Sequence, residues 1–144
     1  MPLMEFAGDY SWGYNPAHVF AVERGPDPAS EGAATMGGVI ANNSSGMQCG
    51  TEFNTYRTLE SMVLVLPSGT VLDTAAPDAG EQLRAREPDL FEGLLRLRDR
   101  VRGNPESVRT IQRLFAMKNT MGYGLNSFLD HEDPVAILDH LMIG

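Results

Sequence analysis

Cationic residues are scarce in this chain of 144 residues. Eleven Lys and Arg stand against nineteen Asp and Glu, a net charge of −8. A nucleic-acid or anionic-membrane binder carries a basic stripe, so the charge balance argues against both partners. Cysteine is almost missing. The single Cys49 excludes an internal disulfide framework. Histidine is limited to His18, His131 and His140, with no His or Cys pair at metal-ligand spacing. Long apolar runs are also lacking, and none approaches the ~20 residues of a membrane-spanning helix. The opening Met1-Pro2-Leu3-Met4-Glu5 has neither the basic start nor the apolar core of a secretory signal. These absences predict a soluble, reduced, cytoplasmic protein. Its length suits one domain or part of a larger one.

What the chain has in abundance is glycine, unevenly placed. Six of the fifteen glycines lie within residues 25–50, beside Pro26, Pro28, Asn42, Asn43, Ser44 and Ser45. This window reads as loop, broken briefly by Val39 and Ile40. Core-type Met36, Val39, Ile40 and Met47 distinguish it from a low-complexity linker. Residues 61–66 form a short, partly β-branched run. Pro67-Ser68-Gly69 and then 70–74 follow, a pattern that predicts a β-hairpin around a three-residue loop. Residues 18–22 are a further strand candidate.

From about residue 88 the period becomes helical. Pro88 suits a first helical position, Leu90, Phe91, Leu94, Leu95 and Val101 repeat on one face, and Gly103 can end the helix. Asn104-Pro105 and Asp133-Pro134 are two N-cap and N1 pairs. Val108, Ile111, Leu114 and Phe115 follow the first pair; Val135, Ile137, Leu138, Leu141 and Met142 follow the second. Strands and glycine turns first, helices second, is an α+β order.

Several chemistries are open to these residues. Glycine-rich turns let backbone N–H groups approach an anion closely, so a pyrophosphate can be held without lysine or arginine. The plainer alternative is a set of tight turns. Neither Gly-x-x-x-x-Gly-Lys-Ser/Thr nor a post-strand Gly-x-Gly-x-x-Gly occurs. Ser44-Ser45-Gly46 lacks the Gly-x-Ser-x-Gly pattern of a nucleophile elbow. Cys49, between Gln48 and Gly50, has no evident activating base and reads as a small packing residue. His140 falls in a helical stretch, where packing is the simpler role. Lys118, Asn119, Thr120 and Tyr123 form a second polar cluster. It can serve an anionic group or a flavin edge, or it can be a helix-ending loop capped by Asn119 and Gly122.

Taken in order, these segments resemble a known family. They are Gly25-Pro26-Asp27-Pro28-Ala29-Ser30, Met36-Gly37-Gly38-Val39-Ile40-Ala41-Asn42-Asn43-Ser44-Ser45-Gly46, the hairpin Leu64–Thr70, Lys118-Asn119-Thr120-Met121-Gly122-Tyr123 and Leu141-Met142-Ile143-Gly144. The run is similar to the FAD-binding oxidoreductases of the vanillyl-alcohol-oxidase, or PCMH, type. FAD-dependent D-lactate dehydrogenases and glycolate-oxidase-type flavoproteins are the nearest in pattern.

The resemblance implies part of an α+β PCMH-type fold, with residues 1–24 a divergent N-terminal segment and 25–144 a partial FAD-binding domain leading to a C-terminal cap. It implies FAD as cofactor, bound by Pro26, Pro28, Ala29, Ser30, Met36, Gly37, Gly38, Ala41, Asn42, Ser44, Ser45, Gly46, Asn119, Thr120 and Gly144, with close backbone approach at Gly38. Lys118 and Tyr123 would face the substrate, a small 2-hydroxy acid such as D-lactate or glycolate, from which the flavin accepts a hydride equivalent. The family's first subdomain carries a glycine loop that residues 1–24 do not show. The expectation is therefore a segment that binds FAD weakly or not at all alone, with a partner chain supplying the other subdomain and the cap. In the intact enzyme it would lie in the cytoplasm or peripherally at the inner membrane face. A truncated, non-catalytic flavin- or nucleotide-binding module and a non-functional remnant are the alternatives.

Overall fold

The structure is a computed structural model that describes residues 36–43, 51–52, 54–117 and 122–144. The chain divides into two compact units: Leu59–Met117 with Tyr123–Met142, and the remainder.

The larger unit opens with strands β1 (Val63–Val65) and β2 (Val71–Asp73), paired antiparallel with Leu64 opposite Leu72. The predicted hairpin is present. Its turn is set locally. Pro67 fixes φ for the second turn position, the Gly69 N–H closes onto Leu66 O at 2.8 Å, and Gly69 takes φ +88°. A type I turn followed by a left-handed glycine suits the right-handed twist of the strands. The strand period of two then sorts the faces. Leu72 points into the core, whereas Val63, Val65 and Val71 are exposed on the other side.

Helices α1 (Met36–Ala41) and α2 (Thr55–Thr58) belong to the smaller unit; in the larger, five helices follow in this order: α3 (Ala79–Arg86), α4 (Pro88–Arg102), α5 (Pro105–Phe115), α6 (Ser127–Asp130) and α7 (Pro134–Leu141). Helix α4 starts at Pro88 and has Gly103 as its C-cap. Asn104 accepts from the Glu106 and Ser107 N–H groups at 3.0 and 3.2 Å. Asp133 accepts from those of Val135 and Ala136 at 2.9 and 3.0 Å. Each cap satisfies two of the four N–H groups that a helix start leaves open. All three starts match the sequence reading. Helix α3 extends the helical region to residue 79, ahead of the expected 88. It offers little apolar period, burying only Ala79 and Leu83.

The core joins Leu72, Leu83, Phe91, Leu94, Phe128, Ile137 and Leu138. Helix α5 contributes less than its pattern suggests, for Ile111 is buried while Leu114 is exposed. Among the described residues no helix is long and apolar enough to cross a membrane.

In the smaller unit the described elements are α1 (Met36–Ala41) and α2 (Thr55–Thr58). Helix α1 corrects the loop reading of 36–41. Two adjacent glycines carry a helical penalty of about 1 kcal/mol each, and composition alone therefore favoured a turn. The strand candidate at 18–22 lies outside the described residues. Among the described residues the composition is compatible with α+β: helices with one two-stranded antiparallel sheet.

Candidate functional site

The glycine pair sits on α1, and hydrogen bonds anchor that helix at its end. The Asn42 N–H donates to Gly38 O and the Asn43 N–H to Ile40 O, both at 3.1 Å. Asn43 then takes φ +41°, a left-handed conformation that asparagine tolerates better than most residues. Its buried side chain accepts from the Tyr56 N–H at 3.1 Å. The Thr55 hydroxyl donates to Val39 O at 3.4 Å. Asn54 caps α2 by accepting from the Arg57 N–H at 3.0 Å. A short helix of poor propensity is thus held from outside by α2. The sequence reading named Asn43 only as part of a loop motif and did not single out Asn54–Tyr56. The signal present was an Asn-Asn pair closing a small-residue stretch, a common left-handed helix stop.

This scaffold leaves small residues open. Gly37 is exposed, and a Cβ built on it would meet nothing within 4 Å. The Asn42 side chain is exposed beyond it, and Ala41 is half-buried. Packing among the described residues therefore does not account for glycine at position 37. An exposed glycine backbone leaves room for a ligand that approaches the main chain closely.

Of the other expected cofactor residues, Met36 and Gly38 lie on α1, and Gly144 is described at the chain end. Pro26, Pro28, Ala29, Ser30, Ser44, Ser45, Gly46, Lys118, Asn119 and Thr120 lie outside the described residues. Tyr123 is 65% exposed. It follows Gly122 at φ +91°, and the next N–H, that of Gly124, donates to Leu141 O at 3.1 Å. Helix α5 ends at Phe115 with Ala116 as its C-cap, so Gly122 is not the cap of that helix.

His140 lies on α7 with Nδ1 2.9 Å from Ala136 O, and its ring centroid is 4.0 Å from that of His131. Among the described residues no group of three His, Cys, Asp or Glu is placed to hold a metal ion.

Residues 18–75 match the family model described as FAD binding domain. The matched segment contains α1, α2 and the β1–β2 hairpin. It includes every expected cofactor residue from Pro26 to Gly46, whereas Lys118, Asn119, Thr120, Tyr123 and Gly144 fall beyond it. The match supports an FAD-binding family of the PCMH type, and the cofactor it indicates is FAD. No curated protein and no solved structure matches the chain.

Proposed function

We propose that the chain forms part of a flavin-dependent oxidoreductase that oxidises a small 2-hydroxy acid such as D-lactate or glycolate. The observation that carries the flavin half of this reading is the match of 18–75 to an FAD binding domain, with the uncovered Gly37 backbone inside the matched segment. Gly37, Gly38, Ala41 and Asn42 would hold the cofactor by main-chain approach and one side-chain amide, joined by the Pro26–Ser30 and Ser44–Gly46 segments. When bound, FAD supplies a two-electron acceptor for the carbon bearing the substrate hydroxyl. The chain's own part is to bind and orient. Lys118 would pair with the substrate carboxylate and Tyr123 would hydrogen-bond to it, which suits a protein otherwise short of cations. The same reading has a partner chain supply the rest of the flavin domain and the cap, in the cytoplasm or at the inner membrane face.

A second reading is a flavin- or nucleotide-binding module without turnover. It is favoured by the 65% exposure of Tyr123 and its place outside the matched segment. Two measurements separate the readings. Titrating the chain alone into FAD is expected to quench flavin fluorescence with weak affinity, in the range of roughly micromolar or above, or not at all. Dye reduction by D-lactate or glycolate in the presence of FAD and the partner supports the oxidoreductase. Binding without dye reduction supports the module, and the absence of both quenching and dye reduction with the partner present removes both.

A further inference from the structure

Asp139 is the one deeply buried carboxylate among the described residues, 4% exposed on α7 between Leu138 and His140. Its Oδ1 finds no hydrogen-bond partner among the described residues. The polar group beside it is Thr74, at the end of β2. That hydroxyl is already engaged: it donates to Met62 O at 3.0 Å and accepts the Met62 N–H at 2.9 Å. A buried carboxylate without a full set of donors is costly in its charged form.

The charged groups around α7 do not relieve it. Asp133 at the helix's own N-cap bears on Asp139 with like charge. Arg98 and Arg102 of α4 are committed to Glu132 and to the carbonyls of residues 128–132. Glu81 and Arg84 of α3 line a groove of about 420 Å3 together with Thr74 and Asp133, and Arg84 there lies over the Phe91 ring at 4.6 Å. His131, at the end of α6, stacks on His140.

We propose that Asp139 is a proton-controlled latch that keeps α7 in the core of the larger unit. As the neutral acid it stays buried with the helix; once ionised it draws water to the unpartnered Oδ1 and loosens α7. Burial pushes its carboxyl up to about 6, the Asp133 charge adds to the rise, and Thr74 pulls against both. The switch therefore works near neutral pH, where exposed aspartates have long been ionised. It is independent of the flavin reading.

Carbon-detected NMR of the full chain follows the Asp139 carboxyl, and hydrogen exchange follows the α7 amides in parallel. The carboxyl is expected to titrate well above the exposed aspartates. Protection of α7, corrected for intrinsic exchange, is expected to fall roughly tenfold between about pH 5 and 8, as a tenfold change accompanies each unit of pKa difference. Asp139→Asn should hold that protection constant over the same range, and Thr74→Val should move the titration further upward. An Asp139 carboxyl titrating with the exposed aspartates overturns the latch, as does an Asn variant with the wild-type pH profile. If the Asn variant does not fold, the wild-type carboxyl titration and the wild-type α7 protection profile decide together, and protection that stays flat through the carboxyl titration overturns the latch.

Discussion

Arg102 shows how much one side chain can organise. Its guanidinium donates to Phe128 O at 2.8 Å and His131 O at 2.7 Å, and it pairs with Glu132. Carbonyls that α6 leaves open at its end are thereby satisfied from α4 by a fork of fixed geometry. Arg102→Ala is expected to lower stability by about 2 kcal/mol, because hydrogen bonds from a charged donor are the stronger kind. Arg102→Lys should recover only part of this, and urea denaturation measures both. Two carboxylates act oppositely on the pH dependence of the same measurement. Asp139 has a raised folded-state pKa, so its contribution is complete below about 4 and lost as pH rises through about 6. Half-buried Glu87 accepts from the Ser68 and Thr70 side chains, which lower its pKa. Its contribution is present above the ordinary 4.5 and is lost as pH falls through the lowered value. Between pH 4.5 and 6, therefore, Asp139 contributes a fall in stability as pH rises. Allowing for solvent screening, that fall is about 1–2 kcal/mol.

Elements whose ends carry their own chemistry were legible in the sequence. Asn104-Pro105 and Asp133-Pro134 announce helix starts because the cap acceptor and the proline that needs no N–H act within three residues. The hairpin was legible for the same reason, through Pro67 and Gly69. Asn104→Ala is expected to cost about 1 kcal/mol and to fray the first turn of α5, where amide exchange at Glu106 and Ser107 should accelerate. Helix α1 was not legible. Its Gly37-Gly38 pair disfavours a helix, and what holds it is remote: Thr55 at Val39 and Tyr56 at Asn43. Nor was α3, whose buried residues are too few to set a period. The candidate site divides in the same way. Its residue types were readable from composition and family resemblance. That position 37 stands uncovered was not, since exposure depends on what the rest of the chain leaves empty.

At the scale of the whole molecule, the two compact units draw on different sources of stability. The larger has an apolar core reaching from Leu72 to Leu138. In the smaller, the described elements are joined by hydrogen bonds among Val39, Asn43, Asn54, Thr55 and Tyr56, so its glycines are a measurable burden. This sets up a test that separates a binding glycine from a structural one. The Cβ of Gly37→Ala meets no atom of the described residues within 4 Å, so none of them opposes the gain in helix propensity. Exchange protection of α1 is expected to rise by up to about 1 kcal/mol. If FAD approaches the main chain at that point, the same methyl group stands in its way, and flavin affinity should fall even as the helix firms. A glycine kept only for a turn would show loss of protection instead. A glycine with no role would firm the helix and leave FAD binding unchanged. Opposite movement of the two quantities in one variant is the signature of a backbone held open for a ligand at the expense of the helix that carries it.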